Sequence, residues 1–170
     1  MNKDREGFWY PLVDLDVCTD CGACERVCPL VETGTTQISK QIREQPQAFA
    51  MSHKQEDELL GSSSGAVFPA LAKLVIEEGG VVFGAAFDSH FNVVHKAVRS
   101  ITDLGELRCS KYVQSNMANV YTELRAAKKA GQKVLFSGTP CQAAAVRTFW
   151  GDSPTRLVCV DMVCHGVPSP

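Results

Sequence analysis

The order of apolar and polar residues predicts a helix and a hairpin in the middle of the chain. From Val67 to Glu78 the apolar positions recur every three or four residues, as in an amphipathic helix, and Gly79–Gly80 ends it. Two apolar runs follow, Val81–Phe87 and Asn92–Val98, and their β-branched residues predict strands. Because the turn residues Asp88–His90 separate them, we expect an antiparallel hairpin.

The second half of the chain alternates helical and strand patterns. Thr102 is expected to cap a short helix that runs to Leu107. The later elements are an amphipathic helix at 117–130, a buried strand at 133–137, a helix at 143–150 and a last strand at 156–163. This alternation predicts an α+β or α/β fold with a mixed sheet.

A dense group of cysteines precedes these elements. Cys18, Cys21 and Cys24 follow one another at intervals of three residues, and Cys28 comes four residues later, directly before Pro29. This is the ligand spacing of a bacterial ferredoxin and predicts a 4Fe-4S cluster. A zinc site usually takes its ligands from two separated knuckles, and disulfides are disfavoured in a reducing compartment. The iron-sulfur interpretation is therefore preferred.

The fourth cysteine of the run raises a question of partners. In ferredoxins with two clusters, the fourth cysteine of each run serves the other cluster, and this chain has one run. Either the chain begins inside a two-cluster module, which we favour, or a remote cysteine completes a single cluster. The remote candidates are Cys109, Cys141, Cys159 and Cys164.

Composition limits the partners and the location that we expect. The chain has 170 residues, 45% of them hydrophobic, and a formal net charge of −2, so it can bury a core but lacks the basic excess that nucleic acids attract. The longest apolar runs are too short to span a bilayer. The polar N-terminus is not a secretion signal, so we expect a cytoplasmic protein. The predicted domains are an iron-sulfur module at 1–32, a linker at 33–61 and an α/β domain at 62–170.

Two turns are candidate cofactor-binding sites. In the first, Ser63, Ser64 and Gly65 precede the helix at 67–78, where they could hold a phosphate or simply cap the helix. Lys111 could face the same cofactor, although a surface lysine is the ordinary interpretation. The histidines His90 and His95 lack a partner cluster and are interpreted as structural or solvated.

The second turn lies at the carboxyl end of the strand 133–137. Gly138 frees the turn, Thr139 is expected to cap the next helix, and Pro140 suits its first position. Cys141 then lies in the first helical turn, where the helix dipole favours a thiolate, so it is either a reactive group or ligand or a small buried residue. Cys164 follows the last strand and is expected to lie near it.

Several of these stretches carry a resemblance: Ser62–Gly65, Gly79–Gly84, Ser110–Ser115, Leu135–Gln142, Cys164–Pro170 and, before the cysteine run, Glu6–Pro11. They resemble the beta subunit family of coenzyme F-420 hydrogenases and dehydrogenases. The resemblance implies an iron-sulfur flavoprotein subunit that relays electrons between 4Fe-4S clusters, FAD and a deazaflavin or similar acceptor, with hydrogenase or dehydrogenase subunits as partners. It further implies a small ferredoxin-like module followed by an incomplete α/β reductase domain, with the chain clipped at both ends.

The sequence departs from the family pattern at several positions near the expected flavin. Ala66 and Cys109 stand where members usually have glycine, and Leu59 and Leu60 stand where an arginine is usual. Two functions therefore remain open: a reductase subunit with its own flavin, or an electron-transfer adaptor that carries only a cluster. No catalytic residue is assigned from the sequence.

Overall fold

The computed structural model describes residues 2–29, 31, 46–117, 119–151 and 154–169. An N-terminal hairpin pairs β1 (Asn2–Lys3) with β2 (Trp9–Tyr10), and a short helix α1 (Ala23–Arg26) follows in the cysteine run. Residues 33–45 of the predicted linker lie outside the described residues. Its last part, however, contains a helix, α2 (Glu56–Leu60).

The α/β part is built on four strands in the order β4-β3-β5-β6. The strands β3 and β4 form the predicted antiparallel hairpin, whereas β3 and β5, and β5 and β6, pair in parallel. The predicted mixed sheet and the α+β or α/β class are therefore confirmed. The bounds of the elements in this part are α3 Val67–Glu77, β3 Val81–Phe87, β4 Val93–Val98, α4 Val120–Lys129, β5 Val134–Gly138, α5 Pro140–Trp150 and β6 Leu157–Asp161, with 3₁₀ turns at Asp103–Leu107 and Pro154–Arg156.

Alternating side chains of the central strands feed two separate cores. Phe83 and Phe136 face one side of the sheet, where they pack against α4 and α5 with Trp150. The neighbouring Val82 and Leu135 face the other side, against α3 and the 3₁₀ turn. Because successive strand residues point to opposite faces, the apolar runs of β3 and β5 fill both cores and place the sheet between two helical layers.

The caps of two helices differ from the prediction. No serine caps α3, because its N-cap is Ala66 in the left-handed conformation with φ 58°, and the hydroxyl of Ser63 is taken by another segment. Thr102 holds the N-cap position of the 3₁₀ turn but makes no side-chain cap bond. There the Ser100 hydroxyl accepts the hydrogen bond from the backbone N–H of Asp103 instead, at 3.2 Å.

Candidate functional site

The cysteine run forms an exposed turn followed by a single helical turn. Asp20 and Gly22 both have positive φ, 51° and 63°, and this reverses the chain between Cys18 and α1. The Arg26 guanidinium then donates a hydrogen bond of 2.6 Å to the Cys21 carbonyl and closes the turn. Cys18, Cys21 and Cys24 are exposed and Cys28 is half-buried, so the run lies at the surface of the molecule.

The surroundings of Cys21 favour its thiolate. A hydrogen bond from the backbone N–H of Ala23 is the main reason that the pKa of Cys21 lies below its usual range, and the Thr19 hydroxyl and the Arg26 charge lower it further. Thiolates are the ligands of iron-sulfur clusters, so this loop suits the chemistry of the donor set. Across the described residues, however, no three His, Cys, Asp or Glu side chains stand together as a metal site. The four-cysteine ligand set remains a prediction from spacing.

The serine loop, Ser62–Gly65, is held by the segment that follows the 3₁₀ turn. The Ser110 backbone N–H donates to the Ser63 hydroxyl at 2.9 Å, and the Arg108 guanidinium donates to the Ser62 hydroxyl at 3.0 Å. Gly65 lies so close to the Met51 carbonyl that a Cβ would overlap it. Ser64 remains exposed at the tip. The loop is therefore fixed by contacts distant in sequence rather than by capping.

Arg108 is a residue of this site that the sequence analysis missed. Its guanidinium donates to the Glu58 carbonyl at 2.6 Å and lies 3.0 Å from the Glu58 carboxylate, which also pairs with Lys73. The Lys73 ammonium is the main cause that lowers the pKa of Glu58. An arginine is absent directly before the serines, yet the fold brings one to them from 46 residues away. No local pattern around Arg108 signals this contact.

Lys111 lies in the same segment and is only partly exposed. Its ammonium donates to the carbonyls of Arg108 and Glu106 at 2.7 Å and 3.0 Å and lies 5.9 Å from the centre of the Phe87 ring. Burial lowers the pKa of this lysine. Lys111 thus lies in the segment that holds the serine loop. Two of the hydrogen bonds of its ammonium go to backbone carbonyls.

The strand-turn-helix junction, Gly138–Gln142, has the predicted cap. The Thr139 side chain accepts from the backbone of Gln142, while the Gln142 side chain accepts from the Thr139 N–H at 2.9 Å, which is a capping box. A Cβ on Gly138 would come within 2.8 Å of the Gln142 side chain and 2.9 Å of the Phe136 ring. Cys141 is exposed, with its sulfur 3.1 Å from the Thr139 hydroxyl. The turn therefore presents Cys141 to solvent.

A buried polar network, which the sequence analysis also missed, supports this junction. The His95 ring stacks on Phe136 and is 6% exposed, with Nδ1 2.7 Å from the Ser115 hydroxyl and Nε2 3.0 Å from the Ser137 carbonyl. The Ser115 hydroxyl also accepts from the Gln142 side chain at 2.9 Å. His95 therefore has a structural role, one of the two that the sequence left open. Its partners lie in other elements, so the sequence around His95 does not predict them.

The cysteines beyond β5 and β6 share one edge of the sheet. These strands pair in parallel up to Gly138 and Asp161, so Cys141 and Cys164 both follow the carboxyl ends of neighbouring strands, and both are exposed. Tyr121 on α4 lies near this edge. Burial is the main reason that its pKa is raised, and the charges of Cys141 and Cys28 add to the effect. Tyr121 thus lies within electrostatic reach of both the junction and the cysteine run.

Comparisons with known proteins agree with this architecture. Residues 9–30 match the family model of a 4Fe-4S binding domain. Among solved structures, a chain of the F420-reducing [NiFe] hydrogenase complex from Methanosarcina barkeri is similar, with a TM-score of 0.54 and 22% identity over 66% of this chain. The match spans 42% of that chain, and the similarity concerns the fold. No curated protein sequence matches. Together, the two matches agree with the resemblance seen in the sequence, in the 4Fe-4S motif and in the fold.

Proposed function

We propose that this chain is an iron-sulfur flavoprotein oxidoreductase subunit that relays electrons between 4Fe-4S clusters, FAD and a deazaflavin such as coenzyme F-420 or a similar acceptor. The observation that carries the proposal is the 4Fe-4S match over residues 9–30 in a chain that shares its fold with part of an F420-reducing hydrogenase complex. Iron-sulfur electron transfer is supported by the cysteine run and by the 4Fe-4S family match.

Cys18, Cys21, Cys24 and Cys28 are the residues that would hold the cluster. A 4Fe-4S cluster supplies one-electron transfer, and its potential depends on hydrogen bonds and solvent near the sulfurs. The Ala23 N–H and the Arg26 charge that favour the Cys21 thiolate also place positive potential at this loop. This positive potential would favour the reduced state of the bound cluster, which carries more negative charge.

The proposed flavin residues lie in the two turns of the α/β part. The serine loop offers the exposed Ser64 and the tightly packed Gly65, with Arg108 and Lys111 as nearby cations for a phosphate. Ser63 belongs to the proposed set as well, although its hydroxyl already accepts from Ser110. The second turn would add Gly138, Thr139, Pro140 and Cys141, at the strand end where ligands bind in open α/β sheets.

A cluster-only adaptor is the second candidate, and one observation favours it. The hydroxyls of Ser62 and Ser63 are both engaged by the chain itself, and the Arg108 guanidinium is paired with Glu58. Groups that satisfy one another need no phosphate to hold the loop. In this case the α/β part would serve as a docking scaffold.

Partners and location follow from the same proposal. A redox partner protein or a hydrogenase or dehydrogenase subunit would exchange electrons with the exposed cysteine run, and a small acceptor would meet the flavin. Nucleic acid is not a proposed partner, given the net charge of −2. Among the described helices, none has the length and apolar character needed to cross a membrane. A cytoplasmic location is part of the proposal, as expected from the polar N-terminus.

Anaerobic purification followed by mass spectrometry of the released cofactors tests the proposal. Iron and sulfide together with FAD would support the reductase subunit, whereas iron and sulfide without flavin would support the adaptor. Zinc without sulfide would contradict both candidates. Reduction of coenzyme F-420, or its use as a donor, would then identify the acceptor.

A further inference from the structure

The cysteine-rich module, residues 2–29, contacts the α/β part through the side chain of Gln114. The Gln114 amide donates to the Trp9 carbonyl at 3.1 Å and accepts from the Trp9 N–H at 2.5 Å, across 105 positions of sequence. A side chain that both gives and takes backbone hydrogen bonds extends the β1–β2 hairpin much as another strand would. A second contact joins the Lys3 ammonium to the Asn92 side chain at 3.3 Å.

Ser115, the residue after Gln114, faces the α/β part and not the cysteine-rich module. The segment pairs with β4, because the Asn116 carbonyl accepts from the His95 N–H and the Asn116 N–H donates to the Val93 carbonyl, each at 2.9 Å. Successive side chains of an extended segment point in opposite directions. Gln114 accordingly meets the module, whereas Ser115 meets His95 and Gln142.

The hydrogen bonds around Ser115 form one consistent chain. The Ser137 carbonyl can only accept, so His95 carries its proton on Nε2 and accepts at Nδ1. The Ser115 hydroxyl therefore donates to Nδ1 and accepts from the Gln142 amide, whose oxygen accepts from the Thr139 N–H. The position of Ser115 is thus tied to the cap of α5.

We propose that Gln114 and Ser115 together hold the cysteine-rich module in a fixed position against the junction, with Gln114 binding the Trp9 backbone and Ser115 fixed by His95 and Gln142. Both are positioning residues. The proposal rests on the proposed function in one respect, that electrons leave a cluster in the module and enter at the junction. The contacts themselves do not depend on it.

Hydrogen exchange of the anaerobically reconstituted full chain tests the contact. In Gln114→Ala, the backbone amides of residues 2–10 should exchange roughly tenfold faster or more, because two hydrogen bonds are lost. Gln114→Glu keeps the acceptor for the Trp9 N–H but loses the donor, so it should show a smaller increase. Gln132 also donates one backbone bond, to Gly79 within the α/β part, and Gln132→Ala should leave residues 2–10 unchanged. Equal exchange in wild type and Gln114→Ala would overturn the proposal.

Electron transfer supplies a readout that a purely structural contact would not move. In Gln114→Ala, the iron and sulfide content and the midpoint potential of the cluster should be unchanged. The rate of electron transfer from the dithionite-reduced cluster to the bound flavin should fall at least about tenfold. The same variant with an unchanged rate would overturn the positioning role. If the protein holds no flavin, the proposed function fails, while the exchange experiment still decides whether Gln114 docks the module.

Discussion

The buried imidazole of His95 makes stability depend on pH in a defined direction. Burial lowers its pKa from the ordinary 6.5 to about 4, against a smaller opposing effect of the Ser137 carbonyl. Between these values the unfolded chain binds a proton that the folded protein does not bind, so stability is complete above pH 6.5 and falls as the pH drops toward 4. The full loss would be about 3 kcal/mol, at roughly 1.4 kcal/mol for each pKa unit.

Denaturant unfolding of variants isolates this histidine from the carboxylates that titrate in the same window. His95→Gln keeps hydrogen-bonding groups without the titration, so its stability should fall less steeply than wild type between pH 6.5 and 4. His90 is exposed, and His90→Gln should retain the wild-type slope. Equal slopes in wild type and His95→Gln would show that His95 does not carry the effect.

Cys141 and Cys159 differ in environment although they lie on adjacent elements. Cys141 is exposed in the first turn of α5, whereas Cys159 is half-buried in β6, where burial raises the pKa of its thiol. A raised pKa leaves less of the reactive thiolate, and burial limits access to the sulfur, so iodoacetamide should label Cys141 faster than Cys159 at neutral pH. Peptide mass spectrometry of the folded protein measures both sites. Equal protection of the two would place Cys141 in the inert core.

At the scale of elements, the cap of α5 should contribute measurable stability. Thr139→Ala removes one half of the capping box and should lower the free energy of unfolding by about 1 kcal/mol. Thr148 lies in the same helix, is exposed, and its hydroxyl donates to the Ala144 carbonyl at 3.1 Å. Because alanine is the better helix former, Thr148→Ala should be neutral or stabilising by a few tenths of a kcal/mol. A loss in Thr148→Ala equal to that in Thr139→Ala would contradict the capping role.

Most elements between residues 67 and 161 follow from the sequence because their signals are local. The apolar spacing of α3 and the Gly138–Pro140 turn lie within single segments, and the structure confirms both. The hydrogen bonds of Arg108, Gln114 and His95 join residues that are between 20 and 105 positions apart. A short stretch of sequence, from which helices and turns are predicted, does not contain both partners. For this reason the sequence could not exclude the serine cap of α3, one of the two alternatives for this loop, since the Ser110 backbone N–H that donates to the Ser63 hydroxyl lies 47 residues away.

At the scale of the whole molecule, burial is concentrated in the middle of the chain. Among the described residues, every buried apolar side chain lies between Ala66 and Trp150, and none lies in the cysteine-rich module. The sheet and its helices therefore have a core that does not depend on the cluster. Cys21→Ser should abolish the iron and sulfide content, yet leave the thermal unfolding of the α/β part unchanged.

Circular dichroism and iron analysis on the same sample check this separation. Cys159→Ser is the matched control outside the run. It should keep the cluster under the favoured two-cluster interpretation, whereas loss of iron would make Cys159 the remote ligand. Loss of helical signal together with the iron in Cys21→Ser would show that the cluster and the sheet fold as one unit. Full iron content in that variant would remove Cys21 from the ligand set.

The exposure of Cys18, Cys21 and Cys24 has a consequence for how the protein matures. The proposed ligands lie on one surface turn, where a carrier protein could reach them, and thiolates exchange clusters by replacing one another at the metal. Since the buried core of the sheet includes no described residue of the cysteine run, the polypeptide can fold first and receive its cluster afterwards. Synthesis of the chain and delivery of iron can then proceed as two independent steps in the cell.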